Sequence, residues 1–288
     1  MIRTNLRVGP AGYPTIKIAD FMELIDSCQA QGFSALELEF VRITATEYPS
    51  SDTMKQLAGH AKKRGVGLSI HGSFYINLAA IEEKKITLAK EFLKQGIRVA
   101  EAASANLIFH PGYFQNLSHE DAIAKAIKLL NSIEISNPSM LFLETPGKLN
   151  AIGDVSEMLE IAAQTGVQIG IDFAHFFARS HGKIREKADI FNLLSMIEKT
   201  ISQNYFHMHI SGIEYTKKGE KRHVPFYNSE FPVEIVTQAL QEVDYRGTLI
   251  CESPKRWEGD TELLLQLLQG DRVQLARKKR ITLHDFLK

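Results

Sequence analysis

Histidines and carboxylates stand where short apolar runs of this chain end. "LIFHPG" (107–112) sets His110 between an apolar run and a Pro-Gly turn. The pattern recurs: His71 in "GLSIHG", Glu144 in "LFLETP", Asp172 and His175 in "QIGIDFAH", His207 and His209 in "FHMHIS", and Glu252 in "TLICESP". "GEKRH" adds His223 in the following loop. Histidine with carboxylate is the ligand chemistry of Zn2+, Mn2+ or Fe2+. Six of the ten histidines belong to this set, more than one ion needs. The residue types therefore point to two or three ions, with a carboxylate such as Glu144 shared between two. Glu144 and Glu252 are flanked by apolar residues, where a carboxylate needs a metal or an ion partner. Asp172 and His175 have opposite strand parity, so both reach one site only if the strand ends between them. His207 and His209 share parity, and one of the two can support the other or contact substrate.

Such residues have to be gathered by the elements that carry them. Eight apolar, β-rich runs are read as strands, at 6–12, 35–41, 67–72, 107–112, 141–146, 168–175, 206–211 and 248–254. Amphipathic patterns lie between them. Ile18, Phe21, Met22, Leu24 and Ile25 share a helical face, Ser118 opens a helix with acidic residues behind it, and Gly166 closes another. Eight strand–helix units predict an α/β fold, a single (β/α)8 TIM barrel over residues 1–270. In such a barrel the C-terminal strand ends converge on one rim, which is where the histidines and carboxylates fall. The competitor is an open doubly wound sheet, against which "GPAGYP" speaks: it has no G-x-G-x-x-G after the first strand and turns with a proline where a phosphate-binding helix would start. Residues 271–288 read as a basic, peripheral tail.

The 288 residues carry zero formal net charge, with 44% hydrophobic and 24% charged residues, as in a soluble globular enzyme. Two cysteines, Cys28 and Cys251, exclude a disulfide framework and fit a reducing compartment. With neither a signal peptide nor an apolar span in view, the expected location is cytoplasmic, without a membrane partner. The neutral total hides an asymmetry. The predicted rim loops carry Arg42, Lys148, Arg179, Lys183, Lys217, Lys218, Lys221, Arg222, Lys255 and Arg256 against fewer acids, which suits a phosphate-bearing substrate. Tyr48, Phe74, Tyr75, Tyr113, Phe114, Phe177 and Trp257 fall in or near these loops and are candidates for stacking on bases.

With these motifs in place, the chain resembles endonuclease IV, the metal-dependent apurinic/apyrimidinic endonuclease, within the xylose-isomerase-like barrel superfamily. The matching stretches are "IHGSFYINLA", "LIFHPG", "LETPGKLNAIG", "IGIDFAHFFA", "HMHISG", "KRH" and "ESP". The resemblance implies a trinuclear centre, usually zinc, with Mn2+ or Fe2+ as alternatives. His71, His110 and Glu144 would hold one ion; Glu144, Asp172, His207 and Glu252 a second; His175 and His223 a third. It implies double-stranded DNA carrying an abasic site as partner, and hydrolysis of the phosphodiester 5′ to that site by a monomer, with Glu144 and Glu252 as catalytic carboxylates. Arg42, Phe74, Tyr75, His209, Lys221 and Arg222 become candidate substrate or DNA contacts. Lys221 stands where the family has an aspartate ligand, so Glu220 or His209 would have to serve the third ion, or that ion would be weak or missing. The alternative within the same superfamily is a metal-dependent sugar or sugar-phosphate isomerase or epimerase. A barrel that binds damaged DNA without catalysis would require lost ligands, and at least seven are present.

Overall fold

Local signals start and stop the elements. Ser50 accepts a hydrogen bond from Thr53 N at 3.1 Å and opens helix α2 (Ser51–Arg64), which Gly65 closes with φ 72°. Ser118 caps α4 (His119–Asn131) in the same way, and Gly166 ends α5 (Val155–Thr165) with φ 77°. Helix α1 (Ile18–Ala30) buries Phe21, Leu24, Ile25 and Cys28, the face that the i, i+3, i+4 spacing predicts. These helices cover a sheet whose strands are short, apolar and buried on both faces, the pattern of a parallel barrel.

The computed structural model describes residues 5–12, 17–254 and 257–271. The expected basic tail, apart from Asp271, and Lys255 and Arg256 lie outside the described residues. The strands are β1 (Leu6–Pro10), β2 (Ala35–Glu39), β3 (Gly67–His71), β4 (Asn106–Phe109), β5 (Leu141–Glu144), β6 (Gln168–Asp172), β7 (Tyr205–Ile210), β8 (Gly212–Thr216), β9 (Gly219–Val224) and β10 (Arg246–Cys251). The remaining helices are α3 (Glu83–Ala103), α6 (Phe173–Arg179), α7 (Lys187–Ile201), α8 (Val233–Glu242) and α9 (Trp257–Gln269). Eight strands form one parallel sheet in the order β1-β10-β7-β6-β5-β4-β3-β2. It is the predicted (β/α)8 barrel. Between β1 and β2 the barrel closes through a parallel bridge of Ala11 with Glu37 and through hydrogen bonds from Ser34 N to Val8 O (2.8 Å) and Gly12 N to Glu37 O (2.9 Å). Gly9 is required there, because a Cβ on it would lie 1.7 Å from the Ala35 carbonyl oxygen.

Two expectations are corrected. The strands end one to three residues earlier than the apolar runs suggest. In β6 the strand stops at Asp172, and His175 belongs to α6. The segment after β7 is not a plain loop: β8 and β9 form an antiparallel hairpin over the C-terminal rim, with Gly212 opposite Val224 and Thr216 opposite Gly219. Gly147 lets the hairpin dock, since a Cβ there would meet Glu220 Cβ at 2.4 Å and His175 Cδ2 at 2.8 Å.

Candidate metal centre

Strand ends deliver most of the predicted residues to one place. His71 and Glu144 are the last residues of β3 and β5, His110 follows β4, and Glu252 follows β10. Asp172 ends β6 and caps α6, its Oδ1 accepting from His175 N at 2.7 Å. That cap turns the chain sharply enough to bring His175 to the rim as well, which resolves the parity conflict. His223 arrives from β9 of the hairpin.

Glu144 sits at the centre, 1% exposed. Four imidazole nitrogens crowd its carboxylate: His110 Nε2 at 2.8 Å, His71 Nε2 at 2.9 Å, His209 Nδ1 at 3.1 Å and His175 Nδ1 at 3.4 Å. His209 Nδ1 is also 3.2 Å from Glu252 Oε1. Beside this group, His175 Nε2 and His223 Nε2 face each other at 2.7 Å, with Asp172 Oδ2 4.0 Å from His223 Nε2. Glu220 Oε2 lies 3.5 Å from His175 Nε2.

His71, His175 and His223 also have Nδ1 engaged by the protein. His71 Nδ1 bonds to Gly72 O at 3.0 Å; His175 Nδ1 bonds to Thr145 O at 3.0 Å as well as facing Glu144, and His223 Nδ1 bonds to Ser211 Oγ at 3.0 Å and lies 3.4 Å from Glu252 Oε2. A neutral imidazole that donates from one nitrogen presents a bare lone pair on the other. His71 and His175 therefore turn lone pairs toward Glu144 and His223, an arrangement that repels unless a cation lies between. Asp172 Oδ2 and His110 Nε2 are buried without a hydrogen-bond partner. Ligand atoms of His71, Glu144, His209 and Glu252, of His110, Glu144 and His175, and of Asp172, His175 and His223 each lie within 4.8 Å of one another. The donor set fits divalent ions, with the outer nitrogens oriented as metal-binding histidines usually are.

Burial disfavours charge on His71, but its Glu144 hydrogen bond and the charges of Glu144, Glu39 and Glu37 overcome this and lift the ring to about 10. His175 is lifted to about 10 despite burial, chiefly by Asp172 and its bond to Glu144. Burial, reinforced by Glu144 and Asp172, holds Glu252 well above the usual carboxylate range.

The pair on β7 divides by depth. Register sets His209 beside Asp172 and His207 beside Gly170, two residues further down. His209, read from sequence as a substrate contact, is the one that faces Glu144 and Glu252. His207, read as a ligand of the second ion, lies beneath it and bonds through Nε2 to Glu37 Oε2 at 2.9 Å. Glu37 and Glu39 on β2 were not singled out by the sequence reading. Their signal is the alternation in "LELEF", which puts two carboxylates on one face of an otherwise apolar strand. Glu37 is fully buried, and Glu39 lines the cleft above the centre.

That cleft encloses about 410 Å3 and is walled by Glu39, Phe74, His110, Glu220, Glu252 and Ser253 among others. Phe74 is half exposed and stacks on His110 with ring centroids 5.8 Å apart; Tyr75 and Tyr113 are exposed nearby. Tyr48, Phe114 and Phe177 are buried in the core, so they are not stacking platforms. Trp257 begins α9. Arg42 is exposed after β2. Lys221 and Arg222 project outward from the hairpin and share Glu214, at 3.2 Å and 3.0 Å. Arg179 is not a free rim cation, because it is bound to Asp154 (2.7 Å) and the Lys148 carbonyl (2.6 Å). Among the described residues no helix is long and apolar enough to cross a membrane.

Comparison with known proteins agrees with this architecture. Residues 25–270 match the family model described as xylose isomerase-like TIM barrel, and the chain belongs to that family. An uncharacterized protein of Methanocaldococcus jannaschii is 35% identical over 266 residues, covering 90% of this chain and 95% of that protein. A probable endonuclease 4 of Mycoplasma pneumoniae is 30% identical over 118 residues, 38% of this chain and 41% of that protein. Two solved structures share the fold. Endonuclease IV from Thermus thermophilus superposes with a TM-score of 0.66 at 16% identity, covering 92% of this chain and 98% of that one. D-Psicose 3-epimerase from Clostridium cellulolyticum gives 0.63 at 13% identity, covering 95% and 100%.

Proposed function

We propose that this protein is a metal-dependent phosphodiesterase that hydrolyses the DNA backbone 5′ to an abasic site. The observation that carries the reading is the third ligand group. Asp172, His175 and His223 stand beside the two groups that share Glu144. Sugar isomerisation in this superfamily calls for one or two ions; a third would add positive charge where a scissile phosphate and its leaving oxygen would lie. The local likeness to a probable endonuclease 4 and the rim cations support it.

In this reading His71, His110 and Glu144 hold one ion; Glu144, His209 and Glu252 a second; and Asp172, His175 and His223, with Glu220 alongside, a third. Divalent ions bound there would neutralise the scissile phosphate and make the attacking water more acidic. Glu252 is partly open to the cleft, with Oε1 3.2 Å from His209 Nδ1 and Oε2 3.4 Å from His223 Nδ1, so it would link the second ion's ligands to the third's. The cleft has room for a sugar phosphate, which a duplex would present by extruding the abasic sugar from the helix. Phe74 at the mouth is placed to fill the gap that it leaves.

The same cleft volume favours the second reading, a sugar or sugar-phosphate isomerase or epimerase, with Glu39 an additional carboxyl facing the substrate. One experiment separates them. An end-labelled duplex carrying a single tetrahydrofuran abasic analogue is incubated with metal-replete protein, with and without chelator. Chelator-sensitive cleavage on the 5′ side of the lesion, leaving a 3′-hydroxyl, supports the nuclease. An intact duplex, with ketose epimerisation by the same preparation, overturns it.

A further inference from the structure

Beneath the three ligand groups lies a closed polar layer built on Glu37, whose carboxylate has its ligand atoms within 4.8 Å of those of His207 and His209. Glu37 is fully buried in the barrel interior. Its Oε2 accepts from Ser69 Oγ at 2.8 Å and is 2.9 Å from His207 Nε2. Its Oε1 is 2.9 Å from His209 Nε2. Those two atoms meet off the N–H line, and neither has another hydrogen-bonding partner. Two donors already occupy Oε2, so Oε1 is left for His209 alone.

We propose that Glu37 is a positioning residue for the centre, fixing His209 as its Nε2–H tautomer so that Nδ1 presents a lone pair toward Glu144 and Glu252. An imidazole with one nitrogen given to a metal carries its proton on the other, and that proton needs an acceptor. His209 is enclosed, at 1% exposure, and Glu37 Oε1 is the carboxylate oxygen 2.9 Å from its Nε2. His207 and Ser69 complete the device by holding the carboxylate upright, which gives the first histidine of "HMH" a role other than ligation. The bridge of Ala11 with Glu37 at the barrel seam fixes the Glu37 backbone as well. The proposal rests on the metal-centre reading and is independent of the reaction catalysed.

The test uses zinc as the probe. The metal-free protein is titrated with zinc by calorimetry, bound zinc is counted by mass spectrometry, and the zinc-loaded, 15N-histidine-labelled protein is read by two-bond 1H–15N correlation. The wild type is expected to hold zinc, with His209 protonated at Nε2 and bare at Nδ1. Glu37→Ala is expected to weaken one zinc by about 10–100-fold, the usual cost of losing such a partner, and to leave at least one other ion in place. A wild type that takes up no zinc overturns both the centre and this proposal. A zinc-loaded wild type with the His209 proton on Nδ1, or a folded Glu37→Ala protein with unchanged zinc affinity, overturns this proposal alone. The tautomer of the wild type decides the matter even if Glu37→Ala does not fold.

Discussion

His175 Nε2 and His223 Nε2 lie 2.7 Å apart at the barrel rim, one from the helix after β6 and one from the hairpin after β7. Each ring gives its Nδ1 to an oxygen elsewhere, Thr145 O and Ser211 Oγ. Two such nitrogens face each other stably only around a shared proton or a cation. The hairpin is therefore part of the site, and its docking on Gly147 is a requirement for completing it.

Loss of His223 is expected to remove one ion and spare the others. His223→Ala should lower the metal count by one, with the fold intact by circular dichroism. An unchanged count would place the third ion elsewhere.

Glu144 contacts four histidines and belongs to two ligand groups. Glu144→Gln keeps its shape but removes the charge, so two ions weaken together. Turnover on the abasic duplex should fall by more than the roughly 100-fold seen for outer-shell partners of a metal. Retained activity would refute the shared carboxylate.

Lys221 and Glu220 should behave oppositely. Glu220 Oε2 is 3.5 Å from His175 Nε2, whereas the Lys221 ammonium is solvent-exposed and paired with Glu214. Lys221→Ala should leave turnover near the wild-type rate and flatten the salt dependence of DNA binding by no more than about one counterion. Glu220→Gln should weaken the third ion, read as a metal count after dialysis.

Glu39 gives a pH prediction for the chelator-treated protein. Burial, offset in part by His71, raises this carboxyl from 4.5 to about 7. Its folded-state pKa lies above the unfolded value, so the folded state binds the extra proton between these limits. The stability Glu39 contributes is complete below about pH 4.5 and is lost as pH rises through 7. Glu39→Gln, neutral throughout, should match the wild type at low pH and exceed it in stability at about pH 8 in urea denaturation. An equal difference at both pH values would show that the side chain is not ionising in a buried place.

Gly9→Ala should destabilise the barrel by about 3 kcal/mol or more, since the Cβ meets backbone that cannot rotate away. Urea midpoints measure this; an unchanged midpoint would mean that the β1–β2 seam opens without cost.

The alternation of apolar runs with amphipathic segments was enough to establish eight strand–helix units, and the strand-end positions of His71, His110, Glu144, Asp172 and Glu252 were enough to establish a common rim. Both follow from local periodicity and from barrel geometry, which the chain carries residue by residue. Depth and partnership needed the tertiary structure. His207 and His209 are indistinguishable by parity, and only the register of β7 against β6 sets one at the rim and the other a layer below. Glu37 acquires its role from β3 and β7, 32 and 170 residues away. The hairpin that carries Glu220 and His223 is polar enough to read as a loop, and it becomes a wall of the site because it packs on Gly147. Tyr48, Phe114 and Phe177 look like rim aromatics by position in the chain, but packing turns them inward. A one-dimensional pattern states which face a side chain takes; the closed barrel decides what meets it there.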